Sequence, residues 1–258
     1  MRQSMRVMAL VLGSASSVSI AEAQIPGMPL FTNPRYGTGF RLHADYGRPT
    51  ETDTLVGDLT VIQGGITFAL GPVGLGVNVG ALKSNAEDLQ ACVNNPTLEC
   101  EDQKVTGSAL AQLRVAGGGN TSLSLSLFGG ISTDINAYDA VQCSTFPDPQ
   151  ACQDYVDARN LKVLTIPVGV AVGLKVPLGF ASLNLWGAPR MNLTRFSNCP
   201  STGCPDNASN FRWAAGADLP IFRILSVRAA FESGKNPLTD ETESVFGVGA
   251  SIGIGGMR

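Results

Sequence analysis

The single histidine of the chain, His43, lies two residues before Asp45 in a stretch where polar and apolar residues alternate. In an extended strand these two side chains point to the same side, so the carboxylate could orient a histidine general base. No paired acidic residues accompany them elsewhere in the sequence. The glycine runs have strand spacing and precede neither a helix nor a lysine, so they predict no phosphate-binding loop. We therefore predict an interior polar network at this pair and no enzymatic activity.

The six cysteines fall into three local pairs, each in a polar stretch that contains proline or asparagine. Disulfides that close small loops would restrict these stretches. We predict the disulfides Cys92–Cys100, Cys143–Cys152 and Cys199–Cys204. The alternative is a metal site, which is disfavoured because the histidine and the carboxylates do not accompany the pairs at metal-ligand spacing. No metal and no cofactor are expected.

The first residues have the pattern of a secretory signal peptide. Arg2 and Arg6 precede a short apolar run at 7–12, and Ala21-Glu22-Ala23 fits the small-x-small cleavage site of signal peptidase. Residues 1–23 are therefore predicted to be removed. The exported chain would meet an oxidising compartment, which permits disulfides.

The composition is unusual for a water-soluble domain. Charged residues are only 15% of the chain and glycine is abundant, with 30 residues, whereas soluble domains carry roughly 25% charged residues. Loss of the leader, with two arginines and one glutamate, changes the net charge from −3 to −4, which does not suit nucleic acid. The mature part has no apolar segment long enough for a transmembrane helix. A closed sheet in lipid is a structure that fits these properties.

Period-two alternation of apolar and polar residues predicts ten β-strands. The clearest is the sixth, where valine, leucine and isoleucine occupy every second position. The seventh is less regular, because Trp186 and Pro189 suggest a bulge or a change of phase. The predicted strands are 38–47, 58–70, 73–83, 105–116, 121–138, 161–176, 180–192, 211–218, 223–232 and 244–255.

The links between these strands alternate in length. Four are tight, at 71–72, 117–120, 177–179 and 219–222. Five are long, at 48–57, 84–104, 139–160, 195–210 and 233–243. The long links hold fifteen acidic and five basic residues. An even number of strands with short turns at one end and long loops at the other is typical of transmembrane barrels.

With its leader, alternating strands and unequal links, the sequence resembles the outer-membrane β-barrel proteins of Gram-negative bacteria over about 38–258. The resemblance implies an all-β, closed, antiparallel up-and-down barrel in the outer membrane, with periplasmic turns and extracellular loops. The implied partners are outer-membrane lipid, the barrel-assembly machinery and periplasmic chaperones. The chain departs from these proteins at its end, Ile254 to Arg258, where they usually finish on an aromatic residue. Residues 24–37 are expected to form a periplasmic lead-in or a small plug.

The faces opposite the apolar ones predict which residues line the lumen. The candidates are Arg41, His43, Asp45, Gln63, Asn78, Gln112, Arg114, Lys175, Arg212, Arg228 and Glu232. In one interpretation the arginines fill the space opposite glycines and pair with the two carboxylates, because a buried charge needs a partner. In the other they line a narrow, mildly basic path for small anions. We favour a lumen that is plugged or barely permeable.

These features predict a structural barrel or a narrow passive pore for small solutes or ions. One alternative is a surface adhesin or receptor that acts through acidic, disulfide-stapled loops. A secreted soluble β-sandwich is a more remote alternative, because the second face is rich in glycine, serine and alanine and would make a poor solvent surface.

Overall fold

The structure is a computed structural model. It describes residues 28–35, 39–50, 59–85, 101–118, 121–134, 143–150, 152–153, 156, 162–179, 181–198, 205, 207–221, 224–236 and 241–254. The predicted signal peptide and four of the six cysteines lie outside this part. No helix in these ranges is long and apolar enough to cross a membrane.

The described chain forms ten antiparallel strands, the number that the alternation predicts. Their bounds are β1 Gly39–Pro49, β2 Leu59–Leu70, β3 Val73–Asn85, β4 Glu101–Gly117, β5 Leu123–Asp134, β6 Lys162–Pro177, β7 Ser182–Ser197, β8 Asn207–Pro220, β9 Leu225–Lys235 and β10 Thr242–Ile254. A short 3-10 turn, Cys143–Thr145, lies between β5 and β6.

Each strand pairs with the next, and β1 pairs with β10 to close the barrel. The closing register runs from Phe40 opposite Ile254 to Pro49 opposite Val245. Closure removes the sheet edges whose unpaired backbone groups would be costly in lipid. The fold prediction is therefore confirmed, and closure of a single sheet rules out the two-sheet sandwich.

The short turns join strands at one end, which we call the turn side, and the long links join them at the other, the loop side. The turn between β2 and β3 consists of Gly71 and Pro72. Gly71 has a φ of +59°, a conformation that residues with a Cβ rarely adopt. A tight reversal at this point therefore depends on glycine.

The prediction of a bulge or phase change in β7 is wrong. The register of β7 with β8 is continuous from Asn184 to Arg195, and Trp186 simply takes an inward position. Pro189 occupies an outward position in the same alternation. The irregularity of the sequence thus reflects a large aromatic side chain inside the barrel. The register shift found in the structure lies instead in β4, between Arg114 and Ala116.

Apolar residues face outward and polar residues face the lumen, which is the reverse of the arrangement in water-soluble proteins. Ile62, Leu70 and Val77 on the outer face are 62%, 69% and 59% exposed, whereas Arg212 and Glu232 inside the barrel are fully buried. The outer surface is a continuous apolar belt formed by every second residue of the strands. The polar residues of the lumen are the ones that a functional site can use.

Candidate functional site: the barrel lumen

Glycines on the inward face make room for large side chains on neighbouring strands. A Cβ at Gly249 would lie 1.8 Å from Asp45 Oδ1, and one at Gly216 would lie 2.3 Å from the Trp186 ring. Such distances do not occur between non-bonded atoms, so glycine marks places where a neighbouring group approaches closely. The interior is filled by small and large residues that alternate across adjacent strands.

The most deeply buried charges meet at Glu232 on β9. Arg212 Nε on β8 donates to Glu232 Oε1 over 2.8 Å, and Arg190 on β7 donates to the same oxygen. These three side chains are at most 1% exposed. Glu232 Oε2 accepts the backbone N–H of Leu30 over 2.9 Å. Two guanidinium groups thus supply the partners that a buried carboxylate requires.

A second cluster centres on Asp45 of β1. Arg228 Nε on β9 donates to Asp45 Oδ1 over 2.6 Å, and a second nitrogen of the same guanidinium donates to Oδ2. Gln63 Nε2 on β2 donates to Oδ2 over 2.9 Å. The fork of an arginine matches a carboxylate in this two-bond geometry. Both oxygens of Asp45 are therefore engaged in holding strands together.

His43 belongs to a hydrogen-bond chain that crosses three strands. Its Nε2 lies 2.7 Å from Asn78 Oδ1 on β3, and Asn78 Nδ2 donates to Ser108 Oγ on β4 over 3.1 Å. The distance from His43 Nε2 to Asp45 Oδ2 is 3.9 Å, which is too long for a hydrogen bond. The geometry joins the histidine to an amide rather than to the carboxylate that a general base would use.

Three further predicted residues also lie on the inner face. Gln112 is buried and its Nε2 donates to Ser126 Oγ over 2.6 Å. Arg114 lies at the turn side, where it donates to the backbone oxygen of Gly71 over 3.0 Å. Lys175 is half-buried near the turn-side end of β6. The inward face is therefore polar along its whole height.

Sequence reasoning missed several inward residues of β7 and β8. Arg190, Asn192 and Asp218 are buried, and Trp186 Nε1 donates to Asp218 Oδ2 over 3.1 Å. The signal was present, because uninterrupted alternation from Leu185 places Trp186, Arg190 and Asn192 inside. The expected change of phase concealed it.

Residues 28–35, which precede β1, run lengthwise through the barrel. Met28 is buried with Val61 and Leu82, at the loop-side ends of β2 and β3. Arg35 donates to the backbone oxygen of Ser122 over 3.1 Å, in a turn at the opposite end. We call residues 28–35 the lumen segment. Residues 24–37 were predicted to form a periplasmic lead-in or a small plug. Residues 28–35 of this stretch lie inside the barrel, and the role of the whole stretch stays a prediction.

Side chains from several strands hold the lumen segment. Asn33 Nδ2 donates to Asp218 Oδ2 over 2.6 Å, and the Arg228 guanidinium lies 4.3 Å from the centroid of the Phe31 ring. Leu30 lies in an apolar cluster with residues of β5 to β9. The buried members from these strands are Phe128, Ala171, Trp186, Ala188, Ala214 and Ala230. The segment is thus packed closely against one side of the barrel wall.

On the opposite side a cavity of about 100 Å³ remains between the lumen segment and the inner face of β1–β4. We call it the chamber. Gly39, Ala69 and Gly74 line it at the turn-side ends of their strands, and Arg41, absent from the two clusters above, also lines it. The chamber therefore extends toward the turn side, whereas the Met28 cluster lies at the loop side.

The long link between β5 and β6 carries a disulfide between Cys143 and Cys152, as predicted. The predicted pairs Cys92–Cys100 and Cys199–Cys204 lie outside the described residues. Within the part of the chain that the structure describes, no group of three histidine, cysteine or acidic side chains is arranged to hold a metal ion.

No model of a known protein family matches the sequence, and no curated protein matches it. Among solved structures, the chain is similar to the translocator domain of the autotransporter NalP from Neisseria meningitidis, with 13% identity, a TM-score of 0.44, and 85% of this chain and 90% of that chain covered. It is also similar to the β domain of the Bordetella autotransporter BrkA, with 8% identity, a TM-score of 0.47, and coverage of 85% and 100%. An outer membrane channel from Pseudomonas putida F1 gives 9% identity, a TM-score of 0.46, and coverage of 88% and 100%. The structures that it resembles are outer-membrane β-barrels, and the chain itself is a closed ten-stranded β-barrel.

Proposed function

We propose that this protein is an outer-membrane barrel that is structural at rest and acts as a narrow passive pore for small ions when its lumen segment moves. The observation that carries the proposal is the lumen segment itself, since residues 28–35 occupy the lumen and pack against residues of β5 to β9 and, at the loop side, of β2 and β3. A barrel of about eight strands is filled by its own side chains, and ten strands leave somewhat more room. A segment of this chain takes up that room.

The apolar belt supports the membrane location. Every strand carries exposed aliphatic or aromatic residues on its outer face, including Val77, Ile166 and Phe211. Contiguous exposed apolar surface on this scale is found where a protein meets lipid or a partner. A belt that surrounds a closed barrel fits a bilayer.

The charges inside the barrel predict the ion preference of an opened pore. Among the described inward residues, cations outnumber anions. The seven cations are Arg41, Lys104, Arg114, Lys175, Arg190, Arg212 and Arg228, and the five anions are Asp45, Asp134, Asp218, Glu232 and Glu243. A path lined by an excess of one sign concentrates ions of the other. We expect an opened lumen to prefer anions.

Conductance in a planar bilayer tests the proposal. We compare the full-length protein, a variant without residues 28–35, and a variant in which a Gly-Ser segment of equal length replaces them. We expect the parent protein to be almost silent and both variants to conduct in steady, anion-selective steps. The replacement removes the hydrogen bond of Asn33 and the packing of Phe31 but keeps the chain length.

The matched control is Met191→Ala on the lipid-facing side of β7, which should remain as silent as the parent. Folding of every variant is checked by its migration before and after heating in detergent. Equal conductance of the parent and both variants would contradict closure by the lumen segment. If none of the folded variants conducts ions, the proposal of a pore is wrong.

The disulfide in the link between β5 and β6 supports a second candidate, a surface adhesin or receptor. A stapled loop lowers the entropy cost of presenting a recognition surface. We expect Cys143→Ser with Cys152→Ser to weaken binding to host cells while the barrel stays folded. Binding that is unchanged in this variant and after exchange of the whole link would eliminate the candidate.

A further inference from the structure

Two hydrogen-bond donors in the chamber have no acceptor among the residues that the structure describes. Arg41 on β1 and Thr67 on β2 line the chamber, and neither forms a hydrogen bond or a close ion pair with another described residue. Nearby donors are occupied, since Gln63 binds Asp45 and Gln112 binds Ser126. The charge of Asp218, which also lines the chamber, acts on Arg41, but no hydrogen bond joins the two side chains. A half-buried guanidinium that has lost part of its water while its N–H groups lack an acceptor is a position where an anion can bind favourably.

The turn side of the barrel, toward which the chamber extends, is basic. Arg35 donates to the backbone oxygen of Ser122 and Arg114 to that of Gly71, both in turns at this end. Lys175 adds a third cation near the same end. The carboxylate at this level, Asp218, already accepts hydrogen bonds from Asn33 and Trp186. The field at the turn side therefore attracts anions.

We propose that the chamber is a binding site for a small oxyanion of the carboxylate or phosphate class, held by the guanidinium of Arg41 and the hydroxyl of Thr67. The planar fork of arginine donates two parallel hydrogen bonds to either kind of oxyanion. Thr67 adds one donor from the neighbouring strand. The site is independent of the proposed pore, because it requires the lumen segment to stay in place.

The dimensions of the chamber limit the ligand. Its volume of about 100 Å³ admits only a small ligand. Inorganic phosphate and acetate are suitable in size. Met28, Val61 and Leu82 pack at the loop side, so the ligand enters and leaves at the turn side. The chamber is thus a blind pocket.

The ligand is a soluble anion rather than a lipid headgroup. Arg41 lies on the inner face of the wall, and its neighbours Phe40 and Leu42 on the outer face are the residues that meet lipid. A headgroup tethered to acyl chains outside the barrel would have to pass over the turn-side end of the wall to reach the guanidinium. Soluble phosphate and acetate are therefore the probes.

The test is a titration of the folded, full chain in zwitterionic detergent at constant ionic strength. The arginine side-chain Nε–H signals are followed by NMR, and Arg41→Gln identifies the signal of Arg41. We expect that signal to shift with phosphate or acetate and to saturate. Thr67→Val should weaken binding about fivefold, the effect of losing one hydrogen bond of about 1 kcal/mol.

Arg195→Gln is the matched control, because it removes the same charge from an exposed, outward position on β7. It should leave the titration unchanged. If no signal of the parent protein shifts to saturation, the proposed site is wrong. It is also wrong if all arginine signals drift together, because a uniform drift indicates only screening of charge. A shift that appears with phosphatidylglycerol but not with free phosphate or acetate also overturns it. If Arg41→Gln does not fold, the parent and Thr67→Val titrations still decide between these outcomes.

Discussion

The two sides of the lumen are built from the same alternating pattern but are filled in different ways. On the side of β5–β9, which we call the packed side, the lumen segment lies against an apolar cluster and the Glu232 charges. On the side of β1–β4, the hollow side, polar residues face the chamber. One side resembles a protein core, and the other resembles a ligand site.

The cause of the difference lies in the size of the inward residues. The packed side carries Trp186, Arg190 and Phe128, with Gly216 and Gly169 opposite them. Around the chamber the hollow side carries small inward residues, Ala69, Gly74 and Gly76. Apart from Arg41, its long side chains Lys104 and Arg114 lie toward the two ends of β4. The lumen segment donates its Leu30 N–H to Glu232 on the packed side and leaves space opposite. Whether an inward residue packs in a core or faces a cavity therefore depends on its side of the barrel and not on the alternating strand pattern.

Removal of the Glu232 carboxylate should have the largest effect. Glu232→Ala leaves Arg190 and Arg212 buried without their shared partner, and breaking a buried pair in this way costs about 3–5 kcal/mol. We expect a loss of this size in the free energy of unfolding. Urea unfolding, followed by the emission of the two tryptophans, measures it.

Gln112→Ala on the hollow side is the comparison, since it removes a neutral hydrogen bond to Ser126. It should cost about 1 kcal/mol. Equal losses in the two variants would contradict the distinction between the sides.

The sequence was sufficient to predict the strands because alternation is a local property. All ten strands follow from it, whereas the closed barrel was predicted from the unequal links and the resemblance, and the pair Cys143–Cys152 from the local clustering of the cysteines. The course of the lumen segment could not be predicted, because Leu30 and Phe31 have no periodic pattern and are held by residues about 200 positions away. Inward orientation was predictable for Asp45 and Glu232, whereas their partners depend on register.

The glycines of the two sides should differ in their tolerance of a methyl group. A Cβ at Gly216 would lie 2.3 Å from the Trp186 ring and 2.8 Å from the backbone oxygen of Ala229. At Gly76 the nearest atom is Thr67 Oγ1, 3.8 Å away. We expect Gly216→Ala to destabilise the barrel by about 1–3 kcal/mol through overpacking.

Gly76→Ala should stay within about 0.5 kcal/mol of the parent, the usual range where no packing is disturbed. Both values come from urea midpoints, with the slope of the transition as a check on two-state unfolding. A larger loss at Gly76 than at Gly216 would show that the chamber is not open space.

The smallest expected difference concerns two inward threonines, one on each side of the lumen. Thr165 on the packed side is fully buried, and its Oγ1 lies 3.4 Å from Thr194 Oγ1. Thr67 on the hollow side faces the chamber without such a partner.

Thr165→Val should cost about 1 kcal/mol, because it leaves the Thr194 hydroxyl buried without its partner. Thr67→Val should change the free energy of unfolding by less than about 0.5 kcal/mol. Valine preserves the shape in both cases, so a difference in urea midpoint isolates the hydrogen bond. Identical midpoints would mean that water reaches Thr194 and that the packed side is wetter than its burial indicates.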